Sequence, residues 1–310
     1  MKKFSLTTTL CAAAAALFLT ACGGEDTSAS ATTASADSAA TAPKTLKVGV
    51  CPGPYGPMLE RIFKPLLQEQ GYELTVIEFT DYVQPNLALD GGDLDANLMQ
   101  HKAYLDTFVQ TQGVKLESAT SVPTLGMGVF AQKVKSFTEI DKAAGGTAAI
   151  PNDAVNLARA LRLARDLDLI TLKADLDENK ASTADIDQNF YNLEFVPMEA
   201  AQISRSLDSV TIGFIPGNYA YAAHLDYGTA LGIEQVAEDI KNVVAVRQND
   251  PATKELLFKV VHSPEFKERI NNDNEFKLFT KPQWWDEVGA ASADTAAPAT
   301  DADAAETPAA

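Results

Sequence analysis

Cysteine is scarce in this chain, with Cys11, Cys22 and Cys51 the only three in 310 residues. Two of them fall within the first 22 residues, so no disulfide framework is expected. Cys51, alone at the end of an apolar run, suits a small buried residue better than a nucleophile. Histidine is as rare. His101, His224 and His262 are scattered, and no close pair of histidines or cysteines stands at ligand spacing, so no metal site and no cofactor is expected. Positive charge is also short. Lys and Arg number 25 against 42 acidic residues, a formal net charge of -17, which excludes the basic footprint that nucleic acid requires. Beyond the N-terminal segment no apolar run is long enough to span a bilayer.

What is present at the ends is distinctive. Lys2 and Lys3 precede an apolar stretch from Leu6 to Leu19, which closes on Leu19-Thr20-Ala21-Cys22. This reads as a signal peptide over 1–22 with a lipobox, cut before Cys22, whose thiol then carries lipid. An ordinary secretory signal with a chance cysteine is the plainer account, but Gly23-Gly24 opens a loose tether directly after it. Residues 23–43 are largely Ala, Ser, Thr and Asp, and 290–310 are Ala, Pro and Thr with acidic residues. Neither stretch can bury enough apolar surface to offset the entropy of ordering, so both are expected to be disordered. The protein is therefore expected at the cell envelope, lipid-anchored and facing the periplasm or exterior.

Between these ends strands and helices alternate. Strands are predicted at 45–51, 74–79, 95–99, 147–150, 193–197, 209–215 and 243–247. Helices are predicted at 58–70, 102–110, 151–167, 199–207 and 252–261. Pro65 is expected to bend the first helix. Asn152-Asp153 and Asn249-Asp250-Pro251 are helix-start signals. Alternation of this kind implies an α/β architecture with largely parallel sheets and a ligand site beyond the carboxyl ends of the strands.

Two clusters follow predicted strands. Tyr82, Met99, His101 and Tyr104 lie in DYVQPNLALDGGDLDANLMQHKAYLD, with His101 and Tyr104 three apart at the start of a helix. They suit a pocket that is apolar inside and polar at one edge. They equally suit a packed core with a satisfied histidine. In PNDAVNLARAL, Asn156 and Arg159 share a helical face. An arginine near a helix N-terminus can grip a carboxylate through two parallel hydrogen bonds, although Arg159, Arg162 and Arg165 also fit a solvated face.

The order DYVQPN, GDLDAN, QHKAYLD, IPND, N.ARAL and EAAQISRSLD resembles the NlpA/MetQ family, the methionine-binding lipoproteins of ABC importers, over most of residues 46–285. The resemblance implies a two-lobed periplasmic-binding-protein fold of type II with ligand in the cleft between the lobes. One lobe would comprise 44–124 and 245–289, the other 125–244. It implies capture of L- or D-methionine and delivery to an ABC permease and its ATPase, with no catalysis. Tyr82, Met99 and Tyr104 would line the side-chain pocket, Met99 standing where the family usually has Phe. His101 would bond the ligand's polar end. Arg159 would hold the α-carboxylate with Asn156 beside it. Glu199 and Gln202 would face the cleft from the second lobe. Where the family often has Asn-Gly-Asn-Tyr-Ala, this chain has Pro216-Gly217-Asn218-Tyr219-Ala220. One side-chain anchor is thus replaced by proline, leaving Asn218 to substitute. Tyr55 likewise stands where a histidine is common. These departures keep a methionine-containing dipeptide or another amino acid open as ligand. A Cys51/His101 hydrolase is the competing class, but no third orienting residue accompanies the pair.

Overall fold

The computed structural model describes residues 43–289. The predicted leader with Cys22, almost all of the tether and the acidic tail lie outside the described residues. Twelve strands occur among those described: β1 (Lys44–Val50), β2 (Tyr72–Glu78), β3 (Ala96–His101), β4 (Leu116–Ser121), β5 (Gly128–Phe130), β6 (Gly146–Pro151), β7 (Ile170–Leu172), β8 (Ile186–Asn189), β9 (Leu193–Met198), β10 (Ile212–Ile215), β11 (Gly232–Ile233) and β12 (Asn242–Arg247). They form two five-stranded sheets, β2-β1-β3-β12-β4 and β11-β5-β10-β6-β9, and a separate β7-β8 pair.

The sheets are mixed rather than largely parallel. β1 is parallel to β2 and β3, but β12 is antiparallel to both β3 and β4. In the second sheet β6 is parallel to β9 and β10, while β5 is antiparallel to β10 and β11. Each sheet thus has one inverted strand, and in each case it is the strand reached directly after the chain crosses from the other sheet. Residues 122–127 make the first crossing and 234–241 the second.

Both faces of each sheet are covered, which explains why β3 (ANLMQH) and β10 (IGFI) are buried at every position; strands enclosed on both sides lose apolar-polar alternation. Beside the first sheet the core includes Met58, Phe63, Leu67 and Phe266, with Phe63 and Phe266 packed edge to face at 5.2 Å. Beside the second, Leu161, Ala164 and Leu163 of the helix Ala154–Asp166 pack with Ile150 and Phe214. Each fully buried Leu or Phe contributes about 1.5–3 kcal/mol from loss of hydrated apolar surface.

Several local outcomes refine the sequence reading. The helix predicted at 58–70 begins at Tyr55 and continues through a π-turn at Leu59–Phe63 into Lys64–Glu69. Pro65 accounts for the wide turn, because it has no N–H and its ring crowds the carbonyl four residues back. Strand 95–99 extends to His101. His101 therefore ends a strand and caps the next helix instead of lying within its first turn. The segment 209–215 is a strand only from Ile212, and 199–207 divides into Ala200–Ile203 and a 3-10 turn at Ser204–Ser206. Asp153 and Asp250 cap their helices as their positions suggest, accepting hydrogen bonds from Asn156 N and Thr253 N.

Candidate functional site

A narrow cavity of about 20 Å³ lies between the two sheets, well under the roughly 300–1,000 Å³ of open small-molecule sites, so its walls stand close together. Of the residues expected from the sequence, Tyr82, Met99, His101, Tyr104, Asn156, Arg159 and Asn218 all line it. Tyr55, Gln100, Leu125, Pro216 and Asn242 line it too.

The apolar wall is aromatic. The Tyr82 ring stands 5.6 Å from that of Tyr104 and 5.3 Å from that of Tyr219. Tyr82 donates its hydroxyl to Asn218 Oδ1 at 2.8 Å, and Asn218 Nδ2 donates to the Pro52 carbonyl at 3.1 Å. Burial pushes the Tyr82 phenol well above its usual range, so it remains a donor. These bonds join the helix Gly217–Ala222, which follows β10, to the loop after β1 and the segment after β2. Gly53 makes the close approach possible. Its φ is +147°, and a Cβ there would lie 2.6 Å from Asn218 Cβ.

The polar wall centres on Asn156. Its Oδ1 accepts from Arg159 Nη1 at 3.2 Å and lies 3.1 Å from His101 Nε2. His101 Nδ1 accepts the backbone N–H of Tyr104 at 3.2 Å, so the proton belongs on Nε2 and the ring donates to Asn156. Burial, reinforced by the Arg159 guanidinium, pulls the His101 pKa down to about 3. His101 is therefore a neutral imidazole with both nitrogens engaged by the protein. Asn156 Nδ2 in turn donates to Asp153, whose carboxyl is pushed up by burial.

Arg159 is 5% exposed and paired with a residue that sequence reasoning missed. Its Nε donates to Glu234 Oε1 at 2.7 Å and its Nη2 to Glu234 Oε2 at 2.6 Å. The two-bond carboxylate grip expected of Arg159 is thus made within the protein. Burial alone would raise the Glu234 carboxyl, but the guanidinium outweighs it and holds it below its usual range. Glu234 Oε2 also accepts Met127 N at 3.0 Å. Three of the five guanidinium N–H bonds are engaged, leaving one on each terminal nitrogen.

A second polar group supports the floor. Asn86, Asn97 and Gln100 are buried and mutually bonded. Asn86 Nδ2 donates to Gln100 Oε1 at 2.7 Å. Asn86 Oδ1 accepts from Asn97 at 2.9 Å and from Gln100 at 2.6 Å. A bulge makes this possible. Asn97 and Gln100 pair with Ala245 and Val243, so two residues of β3 oppose one of β12, and the usual alternation of faces is broken.

Glu199 and Gln202 are not in the cavity lining. Glu199 precedes a short helix and accepts from Asn152 Nδ2 at 2.8 Å on the surface. Gln202 opens onto a separate hollow beside Arg205 and Tyr219. Glu199 stands at the N-cap position of Ala200–Ile203 without a side-chain cap bond, its carboxylate taken up by Asn152. Cys51 is buried and its Sγ contacts the Asp81 carbonyl at 3.1 Å, with the thiol pKa raised by burial. It is not an activated nucleophile. Among the described residues no cluster of His, Cys, Asp and Glu is placed to hold a metal, and no helix is long and apolar enough to cross a membrane.

Residues 46–284 match the family described as NlpA lipoprotein. The chain belongs to this family. It is 34% identical over 211 residues to the D-methionine-binding lipoprotein MetQ of Salmonella typhi, covering 67% of this chain and 77% of that one. A nutrient binding protein from Burkholderia cenocepacia, solved bound to methionine, is similar at 39% identity and a TM-score of 0.68, over 75% of this chain and 97% of that chain. A periplasmic substrate-binding protein of an ABC transporter from Coxiella burnetii is similar at 34% identity and a TM-score of 0.67, over 73% and 95%. The two-sheet α/β architecture is thus that of methionine-binding periplasmic proteins, and the NlpA family is one of binding proteins rather than enzymes.

Proposed function

We propose that this protein is a substrate-binding lipoprotein that captures methionine in the cavity between its sheets and hands it to an ABC importer. The observation that carries the reading is the polarity of the cavity: Tyr82, Met99 and Tyr104 at one side, Asn156 and Arg159 at the other. A linear thioether fits against aromatic rings and the Met99 side chain, where sulfur contacts are favourable. An α-carboxylate suits the two unengaged N–H groups of Arg159. The methionine-bound Burkholderia relative supports the ligand class. Cys22 would carry the lipid that holds the protein to a membrane, with the permease and ATPase as its downstream partners.

Bound methionine stabilises the folded state with the logarithm of its concentration over the dissociation constant. The deciding measurement is calorimetric titration of protein refolded from denaturant, to free it of ligand, with L-methionine, D-methionine, methionine dipeptides and the other amino acids. Heat of binding for a methionine enantiomer is the expected outcome. Binding of only a dipeptide or an unrelated amino acid would replace methionine as the ligand, and no binding to any of them would remove the reading.

A further inference from the structure

Glu234 is not in the cavity wall, yet it is the one carboxylate bonded to the guanidinium that is. It lies in the second crossing segment, 234–241, and is fixed from three directions. Arg159 grips both carboxylate oxygens. Met127 N donates to Oε2, and the Glu234 backbone N–H donates to the Met127 carbonyl at 2.9 Å. Its side chain is 11% exposed, so little water screens it.

The consequence is electrostatic. Without Glu234, the polar end of the cavity would present a buried, unpaired cation, suited to any anion that enters. With Glu234 in place the pair is neutral, while two N–H groups of Arg159 remain for a carboxylate. Two further charges act on the pair and oppose one another: the Asp153 carboxylate, bonded to Asn156, acts on Arg159, and the Lys241 ammonium, bonded to the Val236 carbonyl, acts on Glu234, while His101 is neutral.

We propose that Glu234 is a specificity-determining residue: by neutralising Arg159 from behind, it makes the site select a zwitterion over a simple carboxylic acid of the same shape. This rests on the proposed methionine-binding function. The relevant pair of probes is methionine and 4-(methylthio)butanoate, which share the thioether and the carboxylate but differ in the ammonium group. Both feel the loss of geometry at Arg159 equally, so the ratio of their affinities isolates the charge of Glu234.

The test is calorimetric titration of both probes into the wild type and into Glu234→Gln and Glu234→Asp. The wild type is expected to favour methionine. Glu234→Gln should shift the ratio toward the acid by about ten-fold, the size of a unit charge acting across roughly 10 Å in an effective dielectric of about 20. Glu234→Asp, which keeps the charge, should hold the wild-type ratio even where both affinities fall. An unchanged ratio in Glu234→Gln, or a parallel loss of both probes in the two variants, would overturn the proposal. If Glu234→Gln does not fold, the wild type still decides: equal or tighter binding of the acid than of methionine overturns it. Failure of the wild type to bind methionine at all would count against the proposed function instead.

Discussion

His101 Nε2 and Asn156 Oδ1 lie 3.1 Å apart, a hydrogen bond from the end of a strand in one sheet to a helix packed on the other. It makes the neutral imidazole part of the seam between the two halves, and that neutrality has a pH consequence. The folded pKa near 3 is depressed from an unfolded value near 6.5. The unfolded chain therefore binds the proton more readily. The stabilising contribution is fully present above about pH 6.5 and is lost as pH falls through the folded value, at up to about 1.4 kcal/mol per pH unit. Thermal unfolding from pH 7 to pH 4 should show this fall, and His101→Gln should flatten the profile in that window.

Arg159→Ala removes the proposed grip on the ligand carboxylate and also strands Glu234, a carboxylate 11% exposed. Breaking a buried pair by deleting one partner costs about 3–5 kcal/mol. Both methionine binding and stability are therefore expected to fall, which chemical denaturation beside titration calorimetry would register. Arg159→Ala with wild-type stability would contradict the pairing.

Gly53→Ala tests closure. The added Cβ meets Asn218 Cβ at 2.6 Å and its Cα at 2.9 Å, on a backbone with φ +147°. The helix Gly217–Ala222 must retreat, and the Tyr82–Asn218 bond with it. Ligand affinity should drop ten-fold or more, and small-angle scattering should show a larger radius of gyration with saturating methionine than for the wild type. An unaltered radius and affinity would show that the close approach is not needed.

Asn86→Ala takes one of two acceptors from each of the buried Asn97 and Gln100 amides, which keep the Pro85 carbonyl and Asn97 Oδ1, and takes the donor from Gln100 Oε1. Unsatisfied buried groups cost about 1–3 kcal/mol each. Urea denaturation should report a loss of about 2–4 kcal/mol, with weaker methionine binding because Gln100 also lines the cavity.

How far the sequence reveals this arrangement depends on whether the signal is local. Asp153 and Asp250 announce their helices because a cap bonds to a backbone three residues on. Tyr82, Met99, His101, Tyr104, Asn156, Arg159 and Asn218 lie in segments whose order resembles the family. Glu234 carries no such mark. It is one acid among 42 Asp and Glu, and its partner is 75 residues away. The inverted strands are short in one case, three residues in β5, and strand direction follows from where the chain crosses rather than from composition. The β3 bulge is similarly set by β12. Glu199 and Gln202 show the converse: the motif is legible, but a short helix turns their side chains toward other neighbours.

The two crossing segments are tied to each other at both ends. Val122 N donates to the Asn242 carbonyl and Asn242 N to Thr124 Oγ1, each at 2.8 Å, while Met127 and Glu234 exchange bonds at the far end. Thr280 adds a third rail, exchanging backbone bonds with Thr124. A single strand of chain swivels freely, but a laced ribbon bends about one axis and resists torsion. The halves should consequently swing like a door on a piano hinge, so that each closure brings Tyr82 back to Asn218 and His101 back to Asn156 in the same register, whatever the cavity holds.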